Sequence, residues 1–283
     1  MTTLRLSYPD HVSGGLDTYY FGGRLLPHLL PANPDQPWQE VPIDPPTDSE
    51  LETHEGVYGL DQVEAGIDAA WEILQDAQPA RVITAGGSCV VSQAPFDYLH
   101  GRYGDSVGVL WIDAHADVST PADDYPYAHA MTLSSLLGDP DVPISAKLRN
   151  APFKSEQVLY VGLQELLDHQ RSYLEGAGIV ASQRTDQDVA TSRIAEFVAK
   201  FDYVLVHLDI DVLDPARFHS TYFANSELTG DGSGGGKMTM EKLADVLATI
   251  DQTCNVVGLT VAEYLPFDEQ RLHNALRKLS IFQ

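Results

Sequence analysis

Three short stretches of the chain gather groups that bind cations or move protons. The densest is Trp111-Ile112-Asp113-Ala114-His115-Ala116-Asp117, with two carboxylates and an imidazole at every second position. The second is His207-Leu208-Asp209-Ile210-Asp211-Val212-Leu213-Asp214-Pro215. Each closes an apolar, β-branched run, so each is expected at the end of a strand. Alternate residues of extended backbone share a face, so Asp113, His115 and Asp117 are expected to point together, and Asp209 with Asp211. Carboxylates leaving a buried strand side by side repel one another and lose hydration, and a cation between them offsets both costs. Mixed oxygen and nitrogen donors suit Mn²⁺, and less well Zn²⁺, Fe²⁺ or Co²⁺. Four Asp and one His are more than one catalytic ion needs, so a two-ion site is expected. Two ions about 3.5 Å apart generate hydroxide from water at neutral pH. Asp214, before Pro215, is expected at a turn. His207 is expected to be packed or to support the ligands rather than join them.

The third stretch, Thr84-Ala85-Gly86-Gly87-Ser88-Cys89-Val90-Val91-Ser92, is a strand followed by a glycine turn. A buried structural cysteine and a site residue are both open readings of Cys89. A fourth stretch, Gly230-Asp231-Gly232-Ser233-Gly234-Gly235-Gly236-Lys237, contains a formal G-x-G-x-x-G. A nucleotide loop is rejected there: no strand runs into it, and Met238 rather than Ser or Thr follows Lys237. A surface loop near the active site is expected instead.

The elements that must position these groups follow from hydrophobic patterning. Strands are predicted at Thr3–Leu6, Arg81–Thr84, Val107–Ile112, Val158–Val161, Tyr203–Leu208 and Val256–Val261. Helices are predicted at Leu60–Leu74, Val90–Leu99, Met131–Leu137, Gln164–Leu174, Ser192–Lys200, Met240–Ile250 and Glu269–Leu279, with Pro27–Ser49 irregular. Alternating strands and helices imply parallel βαβ units. Runs such as VGVLWI and YVLVHL are apolar on both faces, as in a sheet covered on both sides. The expected fold is one three-layer α/β/α domain over 1–283 with a mainly parallel sheet, which binds ligands at the carboxyl ends of its strands.

Lys and Arg number 17 against 41 Asp and Glu, a formal charge of −24. Such a balance argues against nucleic-acid and anionic-membrane partners, which need clustered cations. No apolar run reaches the length of a membrane span, and MTTLRLSYPDHVSGG does not read as a secretory signal. Two cysteines, Cys89 and Cys254, fit a reducing, cytoplasmic setting. Cys254 is expected to be inert core.

Asp113-Ala-His115-Ala-Asp117 and Asp209-Ile-Asp211-Val-Leu-Asp214-Pro215 resemble the two signature motifs of the arginase, agmatinase and formiminoglutamase superfamily. Ala128-His129-Ala130-Met131 resembles its proton-shuttle loop, and Val261-Ala262-Glu263-Tyr264-Leu265-Pro266 its guanidinium-binding segment. The resemblance spans about Arg81 to Gln283, in the family's order. It implies an arginase-like fold and a hydrolase that cuts a C–N bond of a small guanidino-type substrate with a metal-bridging hydroxide. It implies two Mn²⁺ ions bridged by Asp113 and Asp209. His115 and Asp211 complete one shell, and Asp117 binds the other ion and holds the hydroxide. His129 would relay protons and Glu263 would anchor the cationic group. A homo-oligomer, trimer or hexamer, is also implied.

The chain departs from that pattern where Gly86-Gly87-Ser88-Cys89 replaces Gly-Gly-Asp-His. Cys89 thus stands among the candidate metal residues, but a thiol is less suited to Mn²⁺ than imidazole. Either it stays a neutral, weak neighbour and the ion on its side is held at low occupancy, which is the expectation, or it ligates as thiolate and shifts the metal preference. This variant resembles a branch that includes enzymes acting on Nω-hydroxyarginine. The head-group residues of true arginases are not evident after Asp117, and Tyr125 and Tyr127 are expected to shape a different pocket. The competing readings are a related deacetylase-like amide hydrolase and a metal-binding pseudoenzyme or regulatory protein.

Overall fold

The computed structural model describes residues 2–179, 190–228 and 233–282. In chain order its main elements are β1 (Thr3–Tyr8), α1 (Asp17–Leu29), β2 (Trp38–Glu40), β3 (Thr53–His54), β4 (Val57–Tyr58), α2 (Leu60–Ala77), β5 (Arg81–Gly86), α3 (Gln93–Tyr103) and β6 (Val107–Ile112). There follow α4 (Thr132–Leu136), β7 (Val158–Val161), α5 (Asp168–Ala177), α6 (Thr191–Val198), β8 (Tyr203–Asp209), α7 (Met240–Thr253), β9 (Asn255–Ala262) and α8 (Phe267–Leu276). Seven strands form one sheet in the order β2-β1-β5-β9-β8-β6-β7, every neighbouring pair parallel. The three-layer α/β/α architecture expected from the sequence is present.

Burial explains the layers. All six residues of β6 are buried. Val107, Val109 and Trp111 pack on one face with Leu99 of α3 and Leu133 of α4. Leu110 and Ile112 pack on the other with Val198 of α6 and Val246 of α7. In α2 the buried positions Leu60, Val63, Ile67, Ala70, Trp71 and Leu74 recur at helical spacing. Thr239 caps α7, its side chain accepting from Lys242 N.

All six expected strands form, some extended by one or two residues. Three elements were not anticipated: α1, the edge strand β2 inside Pro27–Ser49, and the small β3–β4 hairpin. Helix α1 contains Gly22, Gly23 and Pro27, which read as breakers. Gly22 is there for close packing, since a Cβ at that position would lie 1.7 Å from the Tyr264 carbonyl oxygen. The helix expected from Gln164 starts instead at Asp168, because Gln164 N is tied to Ala114 O (2.8 Å) and holds that segment against the Asp113–Asp117 turn.

Candidate metal centre

The sheet order brings together groups far apart in sequence. β5, β9, β8 and β6 are adjacent, so the turn after β5 and the ends of β9, β8 and β6 present Cys89, Glu263, Asp209 and Asp113 to one another. The local route differs from simple alternation. β6 stops at Ile112, and the Asp113–Asp117 set lies beyond it. Asp113 Oδ1 accepts from His115 N (2.7 Å), which turns the chain. Asp117 then takes a left-handed backbone, φ 51°, and its carbonyl accepts from Leu133 N and Ser134 N (2.9 and 3.2 Å). The convergence is thus made by a turn and one strained residue, a conformation that surrounding contacts must hold. At β8, Asp209 Oδ1 accepts from Asp211 N (2.7 Å) as the strand passes into a 3₁₀ turn. Asp214 forms the expected turn, its Oδ1 accepting from Ala216 N (2.9 Å).

Asp113, Asp117, Asp209, Asp211 and Glu263 are all buried. Among the described residues no Lys or Arg pairs with any of them; their ion-pair partners are histidines. His115 Nδ1 lies 2.9 Å from Asp211 Oδ2 and 3.7 Å from Asp113 Oδ1. His115, Asp113 and Asp211 could hold one ion with the donor atoms as they stand, and Asp209, Asp211 and Glu263 form an adjoining group. Cys89, Asp113, Asp117 and His207 form another, with all donor atoms within 4.8 Å of one another. Asp117 Oδ2 is buried without a hydrogen-bond partner. Buried carboxylate oxygens left unpaired cost several kcal/mol each unless a cation compensates them, so the donor set fits divalent metal.

The electrostatics of these side chains follow from crowding. Burial, then the neighbouring acids, pushes the carboxyls of Asp117 and Asp209 well above the ordinary carboxylate value. Burial also raises Asp113. Burial opposes the charge on Asp211, but His115 beside it holds that carboxyl below the ordinary value. Burial likewise opposes the charge on His115, yet Asp211, Asp113 and Asp117 push it well up. Cys89 is raised by burial and by Asp117, Glu263 and Asp209, so it stays a neutral thiol. It donates to Asp209 Oδ2 (3.1 Å) and Glu263 Oε1 (3.4 Å).

A cavity of about 600 Å³ opens over this cluster. Cys89, His115, Asp117, Asp209 and Asp211 face it from the strand ends, and His129, Glu263, Tyr19, Tyr125 and Tyr127 line it as well. His129 Nδ1 lies 2.8 Å from Glu263 Oε1, and its Nε2 lies 2.9 Å from Tyr125 OH. Tyr19 OH donates to Glu263 Oε2 (3.1 Å). Glu263 has a left-handed backbone, φ 60°, and its N donates to Gly87 O (2.7 Å). Gly87 is required there, because a Cβ would lie 1.7 Å from the Asp10 carbonyl oxygen.

Sequence reasoning missed Tyr19, which sits on the unforeseen α1, and His169, whose Nε2 lies 3.1 Å from Ser119 Oγ in the cavity wall. His207 is buried as expected, but its Nε2 is 3.6 Å from Asp113 Oδ2, inside the donor cluster. Its i, i+2 relation to Asp209 was the available signal. Of the glycine-rich stretch, Gly230-Asp231-Gly232 lies outside the described residues, while Gly234 O approaches His115 Nε2 (3.2 Å). Cys254 is half-buried, its thiol donating to Phe201 O (3.3 Å).

Residues 33–278 match the sequence model of the arginase family. The chain belongs to the arginase family. Arginase-family relatives include the arginase of Eremothecium gossypii, 26% identical over 194 residues, which cover 65% of this chain and 46% of that protein. The arginase of Staphylococcus aureus is 24% identical over 209 residues, covering 70% of this chain and 65% of that protein. The chain thus aligns with roughly half to two thirds of the length of these arginases. The arginase fold is matched over more of the chain. The crystal structure of Entamoeba histolytica arginase in complex with L-ornithine superposes with a TM-score of 0.78 at 17% identity, covering 94% of this chain and 92% of that one.

Proposed function

We propose that this arginase-family chain is a metal-dependent hydrolase that cleaves a C–N bond of a small guanidino or hydroxyguanidino compound. One observation carries the reading: five buried acids meet three histidines, His115, His129 and His207, beneath one cavity, with no Lys or Arg pairing those acids among the described residues. Asp113, His115, Asp209 and Asp211 would hold one divalent cation, proposed as Mn²⁺. Asp113, Asp117 and Asp209, beside Cys89, would hold a second at low occupancy. When bound, such cations supply a hydroxide nucleophile at neutral pH and neutralise the acids.

The other steps belong to side chains of the chain itself. Glu263 presents a carboxylate to the cavity and would take the cationic end of the substrate in charge-assisted hydrogen bonds. Tyr19 holds Glu263 Oε2 in place. Asp117 Oδ2, without a partner, is free to accept a proton from the nucleophile. His129, between Tyr125 and Glu263, would deliver a proton to the departing amine, as an imidazole can near neutral pH. Tyr19, Tyr125 and Tyr127 wall the cavity.

Cys89 sets the substrate preference in this reading. A neutral thiol that donates to Asp209 and Glu263 is a poor replacement for an imidazole ligand, so the second cation binds weakly. A hydroxyguanidine is less basic and releases a better leaving group, so a weaker centre suffices. Parallel assays of Nω-hydroxyarginine and arginine with added Mn²⁺ test this. Preference for hydroxyarginine supports the reading, and a clear preference for arginine overturns the hydroxyguanidino part. Turnover of acylated amines alone would establish the amide-hydrolase alternative. Binding of cation without any turnover would establish the pseudoenzyme.

The reading places a single catalytic domain over 1–283 in the cytoplasm as a homo-oligomer, trimer or hexamer, with small molecules as partners. Among the described residues no helix is long and apolar enough to cross a membrane.

A further inference from the structure

We propose that His207 is a metal ligand, its Nε2 completing a donor set with Asp113 and Asp117 for a divalent cation on the Cys89 side of the cluster. The proposal rests on the reading that the site takes divalent cations, and adds a nitrogen donor from a strand that otherwise supplies only carboxylates.

Four observations carry it. His207 is 0% exposed, and its Nε2 has no hydrogen-bond partner. A buried imidazole nitrogen left unpaired is a loss that native proteins rarely accept without a reason. That nitrogen lies 3.6 Å from Asp113 Oδ2. This is too long for a hydrogen bond, but ligands each about 2.0–2.2 Å from one ion stand roughly 3.0–3.5 Å apart. Asp117 Oδ2 is also buried without a partner. Two orphaned donor atoms therefore belong to one group with Asp113 and Cys89.

The ring is also held as a ligand should be. His207 stacks on Trp111, with ring centroids 3.7 Å apart and planes 9° apart. Trp111 Nε1 donates to Asp113 Oδ2 (3.0 Å), so one indole orients both donors. Ser92 Oγ lies 2.8 Å from His207 Nδ1. With the proton on Nδ1 donated to Ser92, the Nε2 lone pair faces Asp113 and Asp117. Fixing the tautomer through the distal nitrogen is how metal-bound histidines are oriented. In this group of Cys89, Asp113, Asp117 and His207, His207 is the one nitrogen donor among the described residues.

Cobalt(II) titration of the full chain tests the proposal, read by equilibrium dialysis and by visible and near-ultraviolet absorption. Wild type should bind two equivalents without a thiolate charge-transfer band. His207→Ala should lose the weaker equivalent, its affinity falling at least about tenfold, while the tighter one persists. His207→Phe keeps a ring against Trp111, so it separates lost ligation from lost packing; it should lose the same equivalent. Cys89→Ala should leave both affinities unchanged. Unaltered cobalt binding in both folded His207 variants makes His207 a packing residue only and overturns the proposal. A thiolate band that disappears in Cys89→Ala also overturns it, by making the sulfur the donor. Wild type that binds no cobalt at all overturns the metal reading itself, an outcome distinct from either.

Discussion

His129 Nδ1 lies 2.8 Å from Glu263 Oε1 although the two residues stand 134 positions apart. The residue that would move a proton and the residue that would anchor the substrate are hydrogen-bonded to each other. Tyr125 completes the chain on the His129 side and Tyr19 on the Glu263 side. Under the proposed function, a cationic substrate entering the cavity would compete with His129 for the same carboxylate, and its binding would release the imidazole for proton transfer.

Replacing Glu263 with Gln keeps the shape and removes the charge. We expect kcat/KM toward a guanidino substrate to fall about 100-fold, as for other lost charge-assisted pairs, mostly through KM. Metal content should stay at the wild-type level. Steady-state kinetics with parallel metal analysis check this, and an unchanged KM would remove Glu263 from substrate binding.

His129→Ala should leave KM nearly unchanged and lower kcat by about 10²–10⁴-fold, the usual worth of a positioned proton donor. Because His129 reaches no carboxylate of the Asp113–Asp117 or Asp209–Asp211 stretches in the structure, bound metal should not change. Full activity in the variant would assign the proton transfer elsewhere.

The metal-free protein should lose stability as pH rises. Asp117 and Asp209 are raised above the ordinary value near 3.8, so the folded state keeps protons that the unfolded chain releases. Stability from that source is full below 3.8 and disappears as pH climbs through the raised values. His115, raised above 6.5, acts in the same direction at higher pH. Asp211 is lowered, so its contribution is present above 3.8 and is lost only in stronger acid. In chelator, the melting temperature should therefore fall between about pH 5 and pH 8. Excess Mn²⁺ should flatten the curve by replacing those protons. A chelated protein that melts higher at pH 8 than at pH 5 contradicts this account.

Cys89→His should strengthen the weaker cation site by exchanging a neutral thiol for a borderline nitrogen donor. The retained metal per chain after dialysis should rise toward two. Unchanged occupancy in a folded variant would show that the turn after β5 does not set metal affinity.

Part of this site could be read directly from the residues. Asp113, His115, Asp117, Asp209 and Asp211 were legible because each set closes an apolar run, and apolar runs of that length become buried strands wherever the chain places them. The route of convergence was not legible. Alternation predicted a shared face for Asp113, His115 and Asp117, whereas a turn and the left-handed backbone of Asp117 bring them together. Helix α1, and Tyr19 on it, was hidden because Gly22 looks like a breaker until the Tyr264 carbonyl is seen against it.

The spacing of acids and imidazoles by itself pointed to cation binding, since a carboxylate pair at a buried strand end has to be neutralised, by a cation or by protons. The tertiary structure alone decided which of these groups lie close enough together to share one cation. Parallel pairing placed β9 and β8 between β5 and β6, which joined Cys89 to a Glu263 that lies 174 residues later and turned His207 toward Asp113. Local sequence governs face and turn, but only long-range burial of the sheet chooses neighbours.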